Sequence, residues 1–224
     1  MPAVRNPRPR PSEIPGAQAF LPEKHTLPAL RDAVHTCRGC PLYREATQAV
    51  FGEGLASSRV MLIGEQPGDS EDRAGKPFVG PAGRLLDEAL AAAGIPRKDV
   101  YVTNAVKHFK FTRRGKRRIH DKPTRYEVRA CEPWLGAEIE VVSPDIIVLL
   151  GATAAQSLLG PSFRVTKARG HDLEPEIEHH FAKHTFATVH PASVLRAPDE
   201  AARHEAREAF FADMRLVGEY FKKL

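Results

Sequence analysis

Four short, largely apolar runs at residues 60–63, 100–104, 146–150 and 186–189 are separated by longer segments whose apolar residues recur at helical spacing. A run of four or five apolar residues without polar alternation is a strand covered on both faces. Strands of that kind that alternate with helices must run parallel, because a crossover helix carries the chain back to the same edge. The pattern predicts an α/β fold: three αβα layers around a central, mostly parallel four-stranded sheet. Helices are expected over 82–93, 125–142, 152–159 and 200–221. Pro81 suits a first helical turn, Thr124 and Glu127 have capping-box spacing, and Asp199 precedes the last helix.

With 224 residues, 42% of them hydrophobic, the chain can bury one substantial core. Residues 26–224 are read as a single domain and the Pro- and Arg-rich residues 1–25 as a flexible tail. No apolar run resembles a secretion signal or is long enough to cross a bilayer, so a cytoplasmic protein, and a monomer, is expected. The net charge of +5 favours a polyanionic partner, and the basic excess is sharpest between Lys107 and Arg129. Nucleic acid is the leading candidate. Three cysteines do not make a disulfide framework and leave metal or redox chemistry open.

The polar residues cluster where such a sheet opens its crevice. Glu65, Asn104 and His190 each lie just past the end of a different expected strand, and in an open parallel sheet those ends converge. From Gly64 to Gly83 the chain carries several carboxylates, the Gln66 amide, the Phe78 ring and five glycines, which reads as an active-site loop. Taken alone, Phe78 is either a stacking platform or a core plug. Asn104 either reads a ligand edge or satisfies a turn, and His190 either binds a ligand or caps the Pro191 turn. Asp69 and Asp72 either take part in the chemistry or order the loop. No phosphate-binding glycine fingerprint is present.

These residues resemble a known family, the iron-sulfur uracil-DNA glycosylases. The resemblance rests on Gly64-Glu65, Pro67-Gly68, Gly75, Pro77-Phe78-Val79-Gly80, Ala82-Gly83 and Leu85-Leu86, on Thr103-Asn104, and on His190-Pro191-Ala192-Ser193 with Leu195-Arg196. Gln66 after Glu65, together with Lys116-Arg117-Arg118-Ile119-His120, is similar to the UdgX-type subgroup. That subgroup is expected to bind uracil-containing DNA, here in single strands, to release free uracil and to remain covalently attached through the histidine at position 120.

The resemblance implies a division of labour. Phe78 stacks on the flipped base, while Asn104 accepts N3–H and donates to O4. Glu65 stabilises the oxocarbenium-like sugar, His190 bonds the uracil O2, and Gln66 touches uracil or sugar. Asp69 joins the catalytic set. His120 attacks C1′ in its neutral form, which the positive neighbours Lys116, Arg117 and Arg118 favour. Lys110, Arg113, Arg114 and Arg196, with those three, are expected on DNA phosphates. Cys37, Cys40 and Cys131 are expected to hold a 4Fe-4S cluster. His108 stands where the family carries its fourth cysteine, and a Cys3His zinc site is the alternative.

Overall fold

The structure is a computed structural model that describes residues 15–174 and 181–224. Strands β1 (Val60–Gly64), β2 (Val100–Asn104), β5 (Ile146–Leu150) and β6 (His184–Thr188) form one parallel sheet in the order β2-β1-β5-β6. Its strands are almost wholly buried, as uninterrupted apolar runs require. Alternate side chains feed two cores. Met61, Ile63, Tyr101, Ile147 and Leu149 face α1 (Leu27–Val34), α4 (Arg125–Val142) and α5 (Ala152–Leu159). Val60, Leu62, Val102, Val148 and Phe186 face α3 (Pro81–Ala93), α7 (Pro191–Leu195) and α8 (Glu200–Phe221). The expected three-layer arrangement is therefore present, with the helix starts as expected: Thr124 and Glu127 close a capping box, and Asp199 accepts from Ala202 N–H.

Three local features differ from the sequence reading. Residues 16–25 were assigned to a flexible tail, but Gly16 N–H donates to Gly39 O, Ala17 N–H donates to Ala130 O, and Ala17 is buried in the first core. Gly39 allows the close crossing, since a Cβ there would lie 2.6 Å from Gly16 O. A cheaply formed helix α2 (Asp69–Ala74) interrupts the glycine-rich loop, with three acidic residues in its first turn, where the helix dipole favours them. The basic segment, read as a loop, is a two-stranded hairpin of β3 (Phe111–Arg114) and β4 (Arg117–His120). Its two-residue turn begins with Gly115 at φ +58°, the conformation a type II′ turn needs. A four-residue helix, α6 (Val165–Ala168), follows α5. No helix among the described residues is long and apolar enough to cross a membrane.

Candidate active site

The register sets the floor of the site. Gly64 pairs with Asn104 at the ends of β1 and β2, and a Cβ on Gly64 would fall 2.4 Å from Asn104 Oδ1 and 2.8 Å from Phe78 Cζ. The missing side chain is what lets the amide and the ring meet over the strand end. Phe78 takes the left-handed conformation, φ 56°, which is costly for a residue with a Cβ. Gly83 makes it possible, since a Cβ there would lie 1.6 Å from Phe78 O. The Phe78 ring is half-buried against the second core and stacks on His190, with centroids 6.0 Å apart and planes inclined by 21°. The contacts show the core-packing reading of Phe78, whose ring also meets His190 at the sheet end.

For His190 the contacts show the capping reading. It caps α7, its Nδ1 accepting Ala192 N–H at 3.1 Å. Burial pushes its pKa down to about 4, helped by Arg196 and His120 and opposed by Glu65. A neutral imidazole whose Nδ1 accepts must carry its proton on Nε2, so the cap fixes the tautomer that donates.

Glu65 lies between the strand ends and the hairpin. One carboxylate oxygen meets His120 Nε2 at 3.2 Å and the other accepts from Thr153 Oγ1. Burial pushes its carboxyl upward, but these two hydrogen bonds and the nearby imidazoles outweigh that and hold it below its ordinary range. Thr153 was missed by the sequence reading; its signal was the Gly151-Ala152-Thr153 step at the end of the third strand. His120 is half-exposed, with 51% of its side chain accessible, and its ring sits 6.2 Å from that of Phe109.

The hairpin that carries His120 is held by residues expected to act on substrate. Gln66 is buried, its amide nitrogen donating to Lys110 O and Asp121 O at 3.2 and 3.0 Å, and its oxygen accepting Lys110 N–H at 3.0 Å. It closes the base of the hairpin, and these bonds occupy the amide that was expected on uracil or sugar. Arg118, expected on phosphate and as a source of charge beside His120, turns inward. Its guanidinium bonds Asp69 and, at 2.6 Å, the fully buried Asp72. It also stacks over Phe109 and Phe111. Asp72 in addition accepts Thr47 N–H at 3.0 Å. Asp69, expected in the catalytic set, salt-bridges Arg73 and Arg118, and burial does not prevent those bonds from holding its carboxyl below the usual range. The two aspartates order the loop.

Strand alternation puts Phe111, Arg113, Arg118 and His120 on one hairpin face and Thr112, Arg114, Arg117 and Ile119 on the other. Arg113, Arg114, Lys116, Arg117 and Arg196 are exposed and face solvent with open charge. Lys110 departs from this pattern, reaching inward to Glu127 at 2.9 Å.

Behind the site, Cys37, Cys40 and Cys131 are buried free thiols that act on one another electrostatically. Burial pushes Cys131 up to about 12 and Cys40 up to about 11. Trp134 Nε1–H points at Cys37 Sγ and Lys107 N–H at Cys131 Sγ, both at 3.3 Å. Backbone and indole donors aimed at sulfur suit thiolates that carry charge, so the donor set fits a metal group bound by sulfur. His108 is buried and pushed down to about 4, chiefly by burial, which leaves a neutral ring able to ligate. Among the described residues, no three His, Cys, Asp or Glu side chains are gathered around a single-ion position.

Fold and site together define an α/β protein with a polar crevice at the ends of a parallel sheet, beneath an exposed basic hairpin. Residues 51–215 match the uracil DNA glycosylase superfamily, and the chain belongs to it. Among its relatives, a type-4 uracil-DNA glycosylase of Thermotoga maritima is 38% identical over 193 residues, 86% of this chain and 93% of that protein. Proteins of the same description from Pyrobaculum aerophilum and Sulfurisphaera tokodaii are 39% and 34% identical, over 77% and 88% of this chain and 86% and 90% of their own lengths.

Proposed function

We propose that the chain is a uracil-DNA glycosylase of the UdgX type, which excises uracil from single-stranded DNA and then bonds covalently to the abasic sugar. The observation that carries this reading is the contact of His120 Nε2 with Glu65 at 3.2 Å, beside the Asn104, Phe78 and His190 crevice. Uracil flipped into that crevice would stack on Phe78 and pair with the Asn104 amide, a pattern that cytosine reverses. The neutral Nε2–H of His190 is a donor for O2 as charge develops there.

The C1′–N1 bond breaks with its electron pair leaving on uracil, and the ionised Glu65 stabilises the cationic sugar. His120 Nε2 then forms the C1′–N bond while its proton passes to Glu65, which leaves a neutral N-alkylated imidazole and a uracil anion. With no good leaving group, the product does not turn over. The exposed cations Arg113, Arg114, Lys116, Arg117 and Arg196 supply phosphate contacts. Cys37, Cys40, Cys131 and His108 are proposed to hold a 4Fe-4S cluster that would tie the turn after α1 to the loop after β2 and to α4. Bound there, it would supply structural cross-linking, with zinc as the alternative.

The test mixes the protein with a uracil-containing single-stranded oligonucleotide, denatures it and looks for a shifted protein–DNA band beside a His120→Ser control. A denaturant-resistant band lost in the control is expected. Free uracil without a band would mark an ordinary, multiple-turnover glycosylase that activates water, and neither signal would leave a non-catalytic damaged-DNA-binding module.

A further inference from the structure

Among the described residues, the largest fully buried charged side chain, Lys107, takes no part in the chemistry above. Lys107 and Glu138 are each fully buried and form an ion pair. The three ammonium protons are all used: one on Glu138 Oε2, one on Thr103 Oγ1 at 2.8 Å and one on the main-chain carbonyl of Asn104 at 2.7 Å. Glu138 in turn accepts from Gly52 N–H, Tyr101 OH and Thr103 OH at 2.9–3.1 Å. Two buried charges cost more to desolvate than a well-packed apolar pair, so stability alone does not call for them.

What they hold is the turn that aims the uracil-reading amide. Ala105 N–H and Val106 N–H bond Gly64 O and Glu65 O, which ties the turn to the neighbouring strand end. The first pins the N–H edge of the peptide plane that follows Asn104, and Lys107 pins its carbonyl edge. Without the ammonium, the buried Asn104 carbonyl loses its charged donor, and a plane held at its N–H edge alone lets the strand end, with the Asn104 side chain on it, shift.

We propose that Lys107, anchored by Glu138, is a positioning residue for Asn104. It sets the orientation of the amide that distinguishes uracil, so its removal harms recognition through Asn104 and no other route. The proposal rests on the glycosylase reading only for what Asn104 recognises.

Lys107→Met alone strands a buried carboxylate and is expected to unfold, so the informative variant is Lys107→Met with Glu138→Gln. That variant is expected to melt within a few degrees of wild type and to release uracil on the order of 100-fold more slowly under single turnover, the usual result of displacing a substrate-positioning group by about 1 Å. In an Asn104→Ala background the same pair of changes should cost less than about twofold, because the group they position is gone. The assigned Asn104 side-chain amide resonance of the free protein should also move in the pair variant. Wild-type uracil release in the pair variant, equal losses in both backgrounds, or an unmoved amide resonance would each overturn the proposal. A wild-type protein that releases no uracil would strike the glycosylase reading, and the resonance would still decide the positioning.

Discussion

Gly64→Ala isolates the pocket floor from every charge in the site. Gly64 closes β1 in extended backbone that any residue adopts, so an added methyl group brings no conformational strain. Its effect is steric. The Cβ would lie 2.4 Å from Asn104 Oδ1 and 2.8 Å from Phe78 Cζ, where ordinary contact begins at 3.4 Å. The amide oxygen thus stands about 1 Å inside contact distance and the ring edge somewhat less. Displacing a base-reading group by about 1 Å costs on the order of 100-fold in rate, equivalent to about 2.7 kcal/mol of transition-state stabilisation. Single-turnover uracil release, corrected for the folded fraction by thermal melting, measures it. Gly136→Ala is the control: nothing lies within 4 Å of its added methyl, and it sits inside α4, so it should gain roughly 0.5–1 kcal/mol of stability with an unchanged rate. If Gly64→Ala releases uracil at the wild-type rate, the base does not bind over the β1 and β2 ends, and the assignments of Asn104 and Phe78 fall with it.

Arg118→Ala leaves the buried Asp72 with backbone donors alone and is expected to destabilise the fold by about 3–5 kcal/mol, with much of that recovered by adding Asp72→Asn; a melting change within about 0.5 kcal/mol would mean that the brace is ornamental. His190 has a folded pKa of about 4 against about 6.5 unfolded, so between those values the unfolded chain binds more protons. Its contribution is complete above pH 6.5 and is lost as pH falls towards 4, and His190→Asn should flatten that part of the melting-versus-pH curve; an unchanged slope would contradict the burial. Metal analysis should find iron and sulfide in equal amounts, with visible absorbance lost in Cys131→Ala and kept in His108→Cys. Zinc without sulfide would replace the cluster with the tetrahedral alternative.

The layers, the strand positions and the convergence of Glu65, Asn104 and His190 could be read directly, because apolar runs and helical periodicity are local properties that survive any arrangement of the rest. The hairpin escaped that reading since its strands are short, polar and exposed on one face, leaving no apolar alternation to see; the Gly115-Lys116 turn was its one local mark. The roles of the polar residues were less accessible still. Arg118 and Arg117 are adjacent and chemically identical, yet one is buried between two aspartates 46 and 49 positions earlier and the other is open to solvent. Strand alternation decides which points inward, and only the packing of α2 against the hairpin places carboxylates there to meet it.

Gln66 shows the same division. Its position beside Glu65 marks it as part of the site, but an amide can bond a ligand or two backbone carbonyls with equal ease, and the choice falls to the hairpin ends that fold over it. Lys107 lies in an apolar stretch, where sequence gives no sign that a fully buried glutamate 31 positions later will neutralise it. The sequence by itself determined the sheet, its ligand-bearing edge and the chemical types gathered there, since those follow from local pattern. Tertiary structure alone decided which of the charged and amide groups open onto the crevice or solvent and which hold the site in shape, because that depends on partners brought together from distant parts of the chain.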